Sequence, residues 1–375
     1  MKITSIEAEV IRTPYTSELR PAWSPGTVWQ GSAATVYRVH TDEGITGIGA
    51  SRGNPDVVRD IVSPLLTGRD PSFIEPIVRT IINAAGGYAA IPIACGIEMA
   101  LWDLTGKVAG LPLSKLWGAH TDRVKAYASM VEVRTPEQRA DDALRLLDRG
   151  YRAIKLRLHS DTLREDIAQV EAVRKAVGDR MEIMVDANQA QEPGTPGAEL
   201  SVPWGYDRAL ATARELFQLQ VTWLEEPLPR YDFDNLRRLT AATDLPIAGG
   251  ENNIGLHEFR ALIDQECYDV LQPDALVCGG MSMLRKVAAY AEMHGRPVAP
   301  HHGGNGFGVA THLHLSASLA NSPWIELLQD PPAMEAAEFQ GLISTPLVPD
   351  ADGYVHVPQG PGLGVELNER WSTAH

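Results

Sequence analysis

The sequence predicts an α/β protein built as a (β/α)8 barrel of the TIM type, with a smaller α+β module attached. Three observations carry that assignment. Eight short apolar runs recur between residues 124 and 328, and amphipathic stretches separate most of them. The residues before them read as paired strands followed by helices. The residues after about 347 turn Pro- and Gly-rich, with short alternating pieces. Strands alternating with helices at about 20 to 40 residues per unit favour a barrel over an open doubly wound sheet.

VYRVH (36–40), the turn Asp42-Glu43-Gly44 and residues 45–49 make a hairpin within a β meander. Residues 56–78 and 91–108 are predicted helices, the second holding GIEMALWDLTGKVAG with apolar residues at helical spacing. Gly110 stops that helix and Pro112 opens another short one, closing an α+β module over residues 1–120. The barrel, residues 121–344, draws its strands from VKAYASM (124–130), YRAIKLRL (151–158), MEIMVDA (181–187), VTWLEEP (221–227), PIAGGE (246–251), DVLQPDAL (269–276), PVAPH (297–301) and WIELL (324–328). PEQRADDALRLLDRG (136–150) and REDIAQVEAVRKAVG (164–178) are typical of the helices between them. The tail, residues 345–375, carries YVHVP and GVELN and is expected to pack back on the N-terminal module. After Asn188, QAQEPGTPGAELSVPWG (189–205) reads as a long loop at the C-terminal face of the barrel, where barrel enzymes place their active sites.

With 375 residues, 44% hydrophobic and 22% charged, the chain has room for one large domain and a smaller one. A formal net charge of −15 argues against nucleic acid or an anionic membrane as the main partner. Cys95, Cys267 and Cys278 are odd in number and contain no CxxC pair, so a reducing cytoplasm is the expected compartment. The N-terminus alternates like a strand and lacks an apolar signal core, and no uninterrupted apolar run reaches membrane-spanning length.

Polar groups sit at the C-terminal ends of successive predicted strands: Lys155 and Arg157, Asp186 and Asn188, Glu225, Glu251, Asp274, His301 and Glu326. A lone strand-end Asp is commonly a helix cap, and a lone His a hydrogen-bonded core residue. Ionisable groups at the same end of consecutive strands point instead to a site. Asp186, Glu225 and Glu251 would gather three hard oxygen donors, which suit one Mg²⁺ per subunit; no cysteine or histidine cluster offers the softer set zinc prefers. Lys155 and Arg157, two apart, share one strand face. Across the barrel mouth, Asp274 would orient His301 and raise its basicity, giving a general base for a C–H beside a carboxylate. Mg²⁺ and Lys155 supply positive charge to the resulting enediolate, and Glu326, with a raised pKa, can donate a hydrogen bond to it. Glu226 has the opposite strand parity to Glu225 and is expected to have a supporting or structural role away from the cation, for which a basic residue on a neighbouring strand is one candidate partner.

GIEMALWDLTGKVAGLPLSKLWGA, KLR, VDANQA, WLEEP, GGEN, QPDALVCGG, APHH and WIELLQD run in order through nearly the whole chain. In these stretches the sequence resembles the enolase superfamily, in its mandelate racemase-like subgroup of acid-sugar dehydratases and racemases. The resemblance implies a modified barrel, (β/α)7β, with an α+β capping domain formed by the N-terminal part and the C-terminal tail. It implies Mg²⁺ on Asp186, Glu225 and Glu251, a His301–Asp274 dyad, and Glu326 as hydrogen-bond donor to the enolate. Two cap loops, PAWSPGTVW (21–29) and ASRGNPD (50–56), would cover the site and offer Trp23, Trp29, Arg52 and Asn54 as specificity residues. Asn188, His302 and Asn305 are further candidates for substrate contact, His302 and Asn305 also for a second acid. The subgroup also implies a homo-oligomer, from dimer to octamer, acting on small carboxylates. One departure matters. Where the subgroup often has Lys-x-Lys, with the second lysine as a base, this chain has Arg157, and a guanidinium is a poor base. A two-base racemase is therefore disfavoured, although Lys155 can serve as a base if nearby positive charge depresses its pKa. The expected reaction is dehydration of an acid sugar to a 2-keto-3-deoxy acid through His301; the alternative is a racemase, epimerase or cycloisomerase on a related hydroxy-carboxylate.

Overall fold

The computed structural model describes residues 1–191 and 202–371, so most of the expected loop 189–205 lies outside the described residues. The chain opens with a three-stranded antiparallel sheet, β1 (Ile3–Leu19), β2 (Trp29–Thr41) and β3 (Thr46–Ser51), joined in that order. Ile3 and Ile6 of β1 and Tyr37 and Val39 of β2 pack on Ile93, Ile97 and Leu101 of the helix Ile91–Ala109. That helix starts with a proline in its first turn and ends at Gly110, whose left-handed φ of 67° closes it as expected. Gly87–Ala109 is long and apolar enough to cross a membrane, yet most of it is buried in the protein's own core. The helix expected over residues 56–78 is instead broken. Helical turns run to Leu66, Gly68 takes φ +83°, and a separate helix, Ile74–Ala84, turns Ile74, Ile77 and Ile81 inward.

A curled parallel sheet follows, built of β4 (Arg123–Ser129), β5 (Ala153–Arg157), β6 (Glu182–Asp186), β7 (Leu224–Glu225), β8 (Ile247–Gly249) and β9 (Val270–Leu271), with β10 (Trp324–Leu328) against β4 at the other border. Residues 297–301 are shorter than expected as a strand: they form a single parallel bridge, Leu271 to Val298, because Pro297 and Pro300 have no N–H to continue a ladder. Helices wrap the outside. Those at Pro136–Asp148 and Leu163–Val177 both begin with capping boxes, on Thr135 and Thr162. The second buries Ile167, Val170, Val173 and Val177, each worth roughly 1.5–3 kcal/mol relative to exposure. The whole is a modified TIM barrel, (β/α)7β, with an antiparallel cap.

The tail divides its contacts. Its strand β11 (Tyr354–His356) pairs antiparallel with β4 of the barrel, whereas Gly362 and Leu363 reach Leu113 and Asp103 of the N-terminal part. A second seam joins cap and barrel. The Glu98 carboxylate accepts the Ser282 amide at 3.0 Å, at the start of the helix Met281–Met293. Gly280 beside it sits at φ +98°, and a Cβ there would overlap Glu98. The buried acid explains why residue 280 is glycine, while Gly279 beside it takes φ +127°.

Candidate active site

Strand parity sorts the barrel interior into two layers. Tyr127, Ala153, Met184, Trp223, Ala248, Val270, Ala299 and Trp324 form an apolar floor. Its three large rings meet edge-on, with centroids 5.5, 6.2 and 6.3 Å apart. Two residues further along the same strands, and therefore on the same face, come Ser129, Lys155, Asp186, Glu225, Gln272, His301 and Glu326. Glu251 follows β8 at the same level. Every one of these side chains is buried except Glu251 and His301, which are partly exposed at the mouth.

Oxygens of Asp186, Glu225 and Glu251 lie within 4.8 Å of one another. Burial, followed by mutual repulsion among these acids, raises the pKa of all three, though Lys155, Arg157 and His301 work against the rise. Lys155 Nζ lies 2.6 Å from Glu225 and 2.9 Å from Glu326, and Arg157 pairs with Asp186. Asp186, Glu225, Glu251 and Glu326 thus face the two fixed cations Lys155 and Arg157, with two negative charges left over. Converging all-oxygen donors with an uncancelled double charge fit one hard divalent ion.

His301 Nδ1 is 2.9 Å from Asp274 Oδ2, and its Nε2 is 3.2 Å from Glu251. Burial disfavours the imidazolium, but Glu251, Asp274 and Glu326 outweigh it and lift the pKa to about 9. Asp274 also accepts the Leu276 and Gly303 amides. Its burial is overcome by His301 and His312, which keep it ionised. The dyad geometry fixes which imidazole nitrogen faces the acids: Nε2.

Several expectations change. Burial lowers the pKa of Lys155, but Glu225, Glu326 and Asp186 more than reverse this and favour the ammonium, opposite to the depressed pKa a lysine base needs. Glu326, expected as a protonated donor, is ionised: burial opposes ionisation, but Lys155 and His301 hold it well below the usual carboxylate range. Its Oε2 instead accepts the Tyr127 hydroxyl at 3.1 Å. Arg157 bonds through all three of its nitrogens, with Nε on Met130 O, one terminal nitrogen on Asp186 and Asn188, and the other on Ser129. Trp23 of the first cap loop covers its face at 4.6 Å and meets Trp29 edge-on at 5.5 Å. Asn188, expected at the substrate, spends its oxygen on Arg157 and His159 and its amide nitrogen on Asp186. Arg52 is exposed, and its side chain makes no hydrogen bond or ion pair with the cluster among the described residues; Asn54 caps the turn at Asp56. Asn305, expected as a second acid or substrate contact, is buried and its Oδ1 caps the helix Gly306–Ala317 through the Phe307 and Gly308 amides. Among the described residues Glu226 finds no basic hydrogen-bond partner. Neither carboxylate oxygen has a hydrogen bond among the described residues, and burial beside Glu251, Asp186 and Glu225 pushes its pKa well up. His302 stacks on His301 at 3.8 Å.

Three residues escaped the sequence reading. Gln272 donates to Glu225 at 2.7 Å, Ser129 accepts from Arg157, and His159 bonds Asn188 at 3.0 Å. Parity was the available signal: Gln272 is two before Asp274, and His159 two after Arg157.

Residues 6–118 match the mandelate racemase / muconate lactonizing enzyme N-terminal domain, and residues 138–371 the enolase C-terminal domain-like family. The chain is 33% identical to the L-talarate/galactarate dehydratase of Salmonella typhimurium, over 91% of this chain and 82% of that one. It is 29% identical to the D-galactarolactone cycloisomerase of Agrobacterium fabrum, over 98% and 97%. The structure of L-talarate dehydratase from Polaromonas sp. JS666, complexed with Mg and L-glucarate, superposes with a TM-score of 0.86 at 29% identity, covering 99% of this chain and 96% of that one. It is 26% identical to the N-succinyl-L-Arg/Lys racemase of Bacillus cereus, over 98% of this chain and 96% of that one. The chain belongs to the enolase superfamily, in its mandelate racemase subgroup.

Proposed function

We propose that the protein is a Mg²⁺-dependent, one-base dehydratase of acid sugars, converting a polyhydroxy carboxylate to its 2-keto-3-deoxy acid. The observation that supports this reading is the engagement of all three Arg157 nitrogens. With that guanidinium hydrogen-bonded through all three nitrogens and stacked on Trp23, and Lys155 held between Glu225 and Glu326, His301 is the group left to take a proton, provided a cation on Glu251 offsets the negative charge that favours its imidazolium.

Asp186, Glu225 and Glu251 are the residues that would hold the cation. When bound, Mg²⁺ supplies the positive charge that acidifies the carbon beside the substrate carboxylate. Lys155 lends further positive charge to the enediolate oxygens. His301 Nε2 takes the α-proton, and Asp274 stabilises the imidazolium through Nδ1. As the enediolate collapses, the β C–O bond breaks with its electron pair. His301 returns the proton to the departing oxygen, which leaves as water, and the enol tautomerises to the ketone. A cycloisomerase would use the same proton abstraction with a ring oxygen leaving, and the nearly full-length cycloisomerase relative favours keeping that as the second reading.

NMR in D₂O with Mg²⁺ and a panel of aldonic and aldaric acids, including galactarate, arabinonate and xylonate, tests this directly. The expected outcome is loss of the α-proton together with a 2-keto-3-deoxy product. Deuterium entering unreacted substrate with inverted configuration and no water loss would point to racemisation instead. His301→Asn should lower turnover by at least about 10³-fold, since positioned acid–base groups contribute about 10²–10⁴.

A further inference from the structure

Residues 301–305 read HHGGN. Gly303 and Gly304 take left-handed φ values of 76° and 68°, which residues with a Cβ rarely adopt. The turn they make brings the Gly304 amide to 2.9 Å from His302 Nδ1 and the Gly303 amide to 3.2 Å from Asp274. An amide only donates, so His302 Nδ1 carries the lone pair and the ring proton of the neutral imidazole sits on Nε2. The ring is further held by His301, with centroids 3.8 Å apart, and by Phe339, edge-on at 5.2 Å. It is half-buried, and no acceptor among the described residues meets its Nε2.

Burial and the neighbouring His301 disfavour a charged His302. Its contact with His301 and its closeness to Asp274 put the ring beside the dyad. A metal role is a poor match. Ligand atoms of Asp274, His301 and His302 do lie within 4.8 Å of one another, but a ring whose Nδ1 accepts an amide keeps Nε2 protonated and offers no lone pair there. What remains is a neutral hydrogen-bond donor of fixed tautomer, next to the base.

We propose that His302 is a substrate-contacting residue that donates its Nε2–H to a hydroxyl oxygen of a polyhydroxy carboxylate on the His301 side of the site. The inference rests on the acid-sugar reading above and narrows it. A hydroxyl oxygen accepts from such a donor, whereas the N–H of an N-acylated amino acid presented at that position would leave both donors unpaired. The arrangement therefore selects sugar acids over acylated amino acids.

Two measurements test it. Long-range ¹H–¹⁵N NMR on histidine-labelled protein, with His302→Phe used for assignment, should show His302 as the neutral Nε2–H tautomer at neutral pH; an Nδ1–H tautomer or an imidazolium overturns the proposal. Steady-state kinetics on the galactarate, arabinonate and xylonate panel should show kcat/KM falling about 10- to 100-fold in His302→Phe, the effect of one lost hydrogen bond of about 1.4–2.8 kcal/mol. His302→Gln, which keeps a donor, should recover most of the loss, and unchanged melting curves guard against misfolding. A Phe variant within twofold of wild type on a substrate the wild type turns over sinks the His302 assignment alone. Wild-type protein inactive on the whole panel sinks the acid-sugar reading and the proposal together.

Discussion

Two layers of the barrel interior, only two residues apart on the same strands, are built on opposite principles. In the lower one Tyr127, Trp223 and Trp324 interlock as an apolar plug among small side chains. In the upper one Lys155, Asp186, Glu225, His301 and Glu326 concentrate charge in a place that burial makes costly for it. The floor stabilises the fold; the layer above it is tolerated because the fold is already secure. The polar groups do lean on the floor, since the Trp223 indole N–H donates to Glu225 at 3.1 Å and the Tyr127 hydroxyl to Glu326. The difference suggests that removing an apolar floor side chain should destabilise, whereas removing a surplus acid from the upper layer should stabilise.

The largest effect belongs to the floor. Trp223→Ala should cost about 3–5 kcal/mol in chemical denaturation, as for other large buried aromatics. A cost under about 1 kcal/mol would mean that the plug does not carry the stability assigned to it. Arg157→Met is next and sharpens the contrast, because it leaves Asp186 buried without its partner. Breaking such a pair costs about 3–5 kcal/mol, and the loss should be clearly smaller with Mg²⁺ present than with a chelator. An equal loss in both conditions would separate Asp186 from the cation site. The smallest effect has the opposite sign. Glu251→Gln removes one of the surplus negative charges without touching the Lys155 and Arg157 pairs, so chelated protein should gain stability, by roughly 1 kcal/mol. Clear destabilisation would contradict the reading of this layer as overcharged.

Much of the site was legible because strand parity is local: Lys155 and Arg157, Asp186, Glu225 and His301 need only period-two alternation to be placed. The barrel alternation was legible for the same reason. Part of what failed depended on facts that no local stretch contains. Whether Glu226 meets a cation depends on sheet curvature and helix packing, and among the described residues it bonds to none. Asn188 could be put on the right face, but not given its partners Arg157 and His159, which come from the neighbouring strand and its loop. Gln272 and Ser129 carry no charge and were passed over. Asn305 was read for its position near His301, when the helix beginning at Gly306 was the stronger constraint. Pro297 and Pro300, visible in the sequence, shortened a strand that apolar patterning had extended.

The central claim is that the upper layer holds an uncancelled charge that one divalent cation completes. Calorimetric titration of chelator-treated protein with Mg²⁺ measures it most directly, comparing wild type with Glu251→Gln. The account predicts one site per chain in the wild type, and binding lost or weakened at least about 100-fold in a variant that remains folded and, without metal, no less stable. Undiminished Mg²⁺ binding by Glu251→Gln, or none by the wild type, would contradict it.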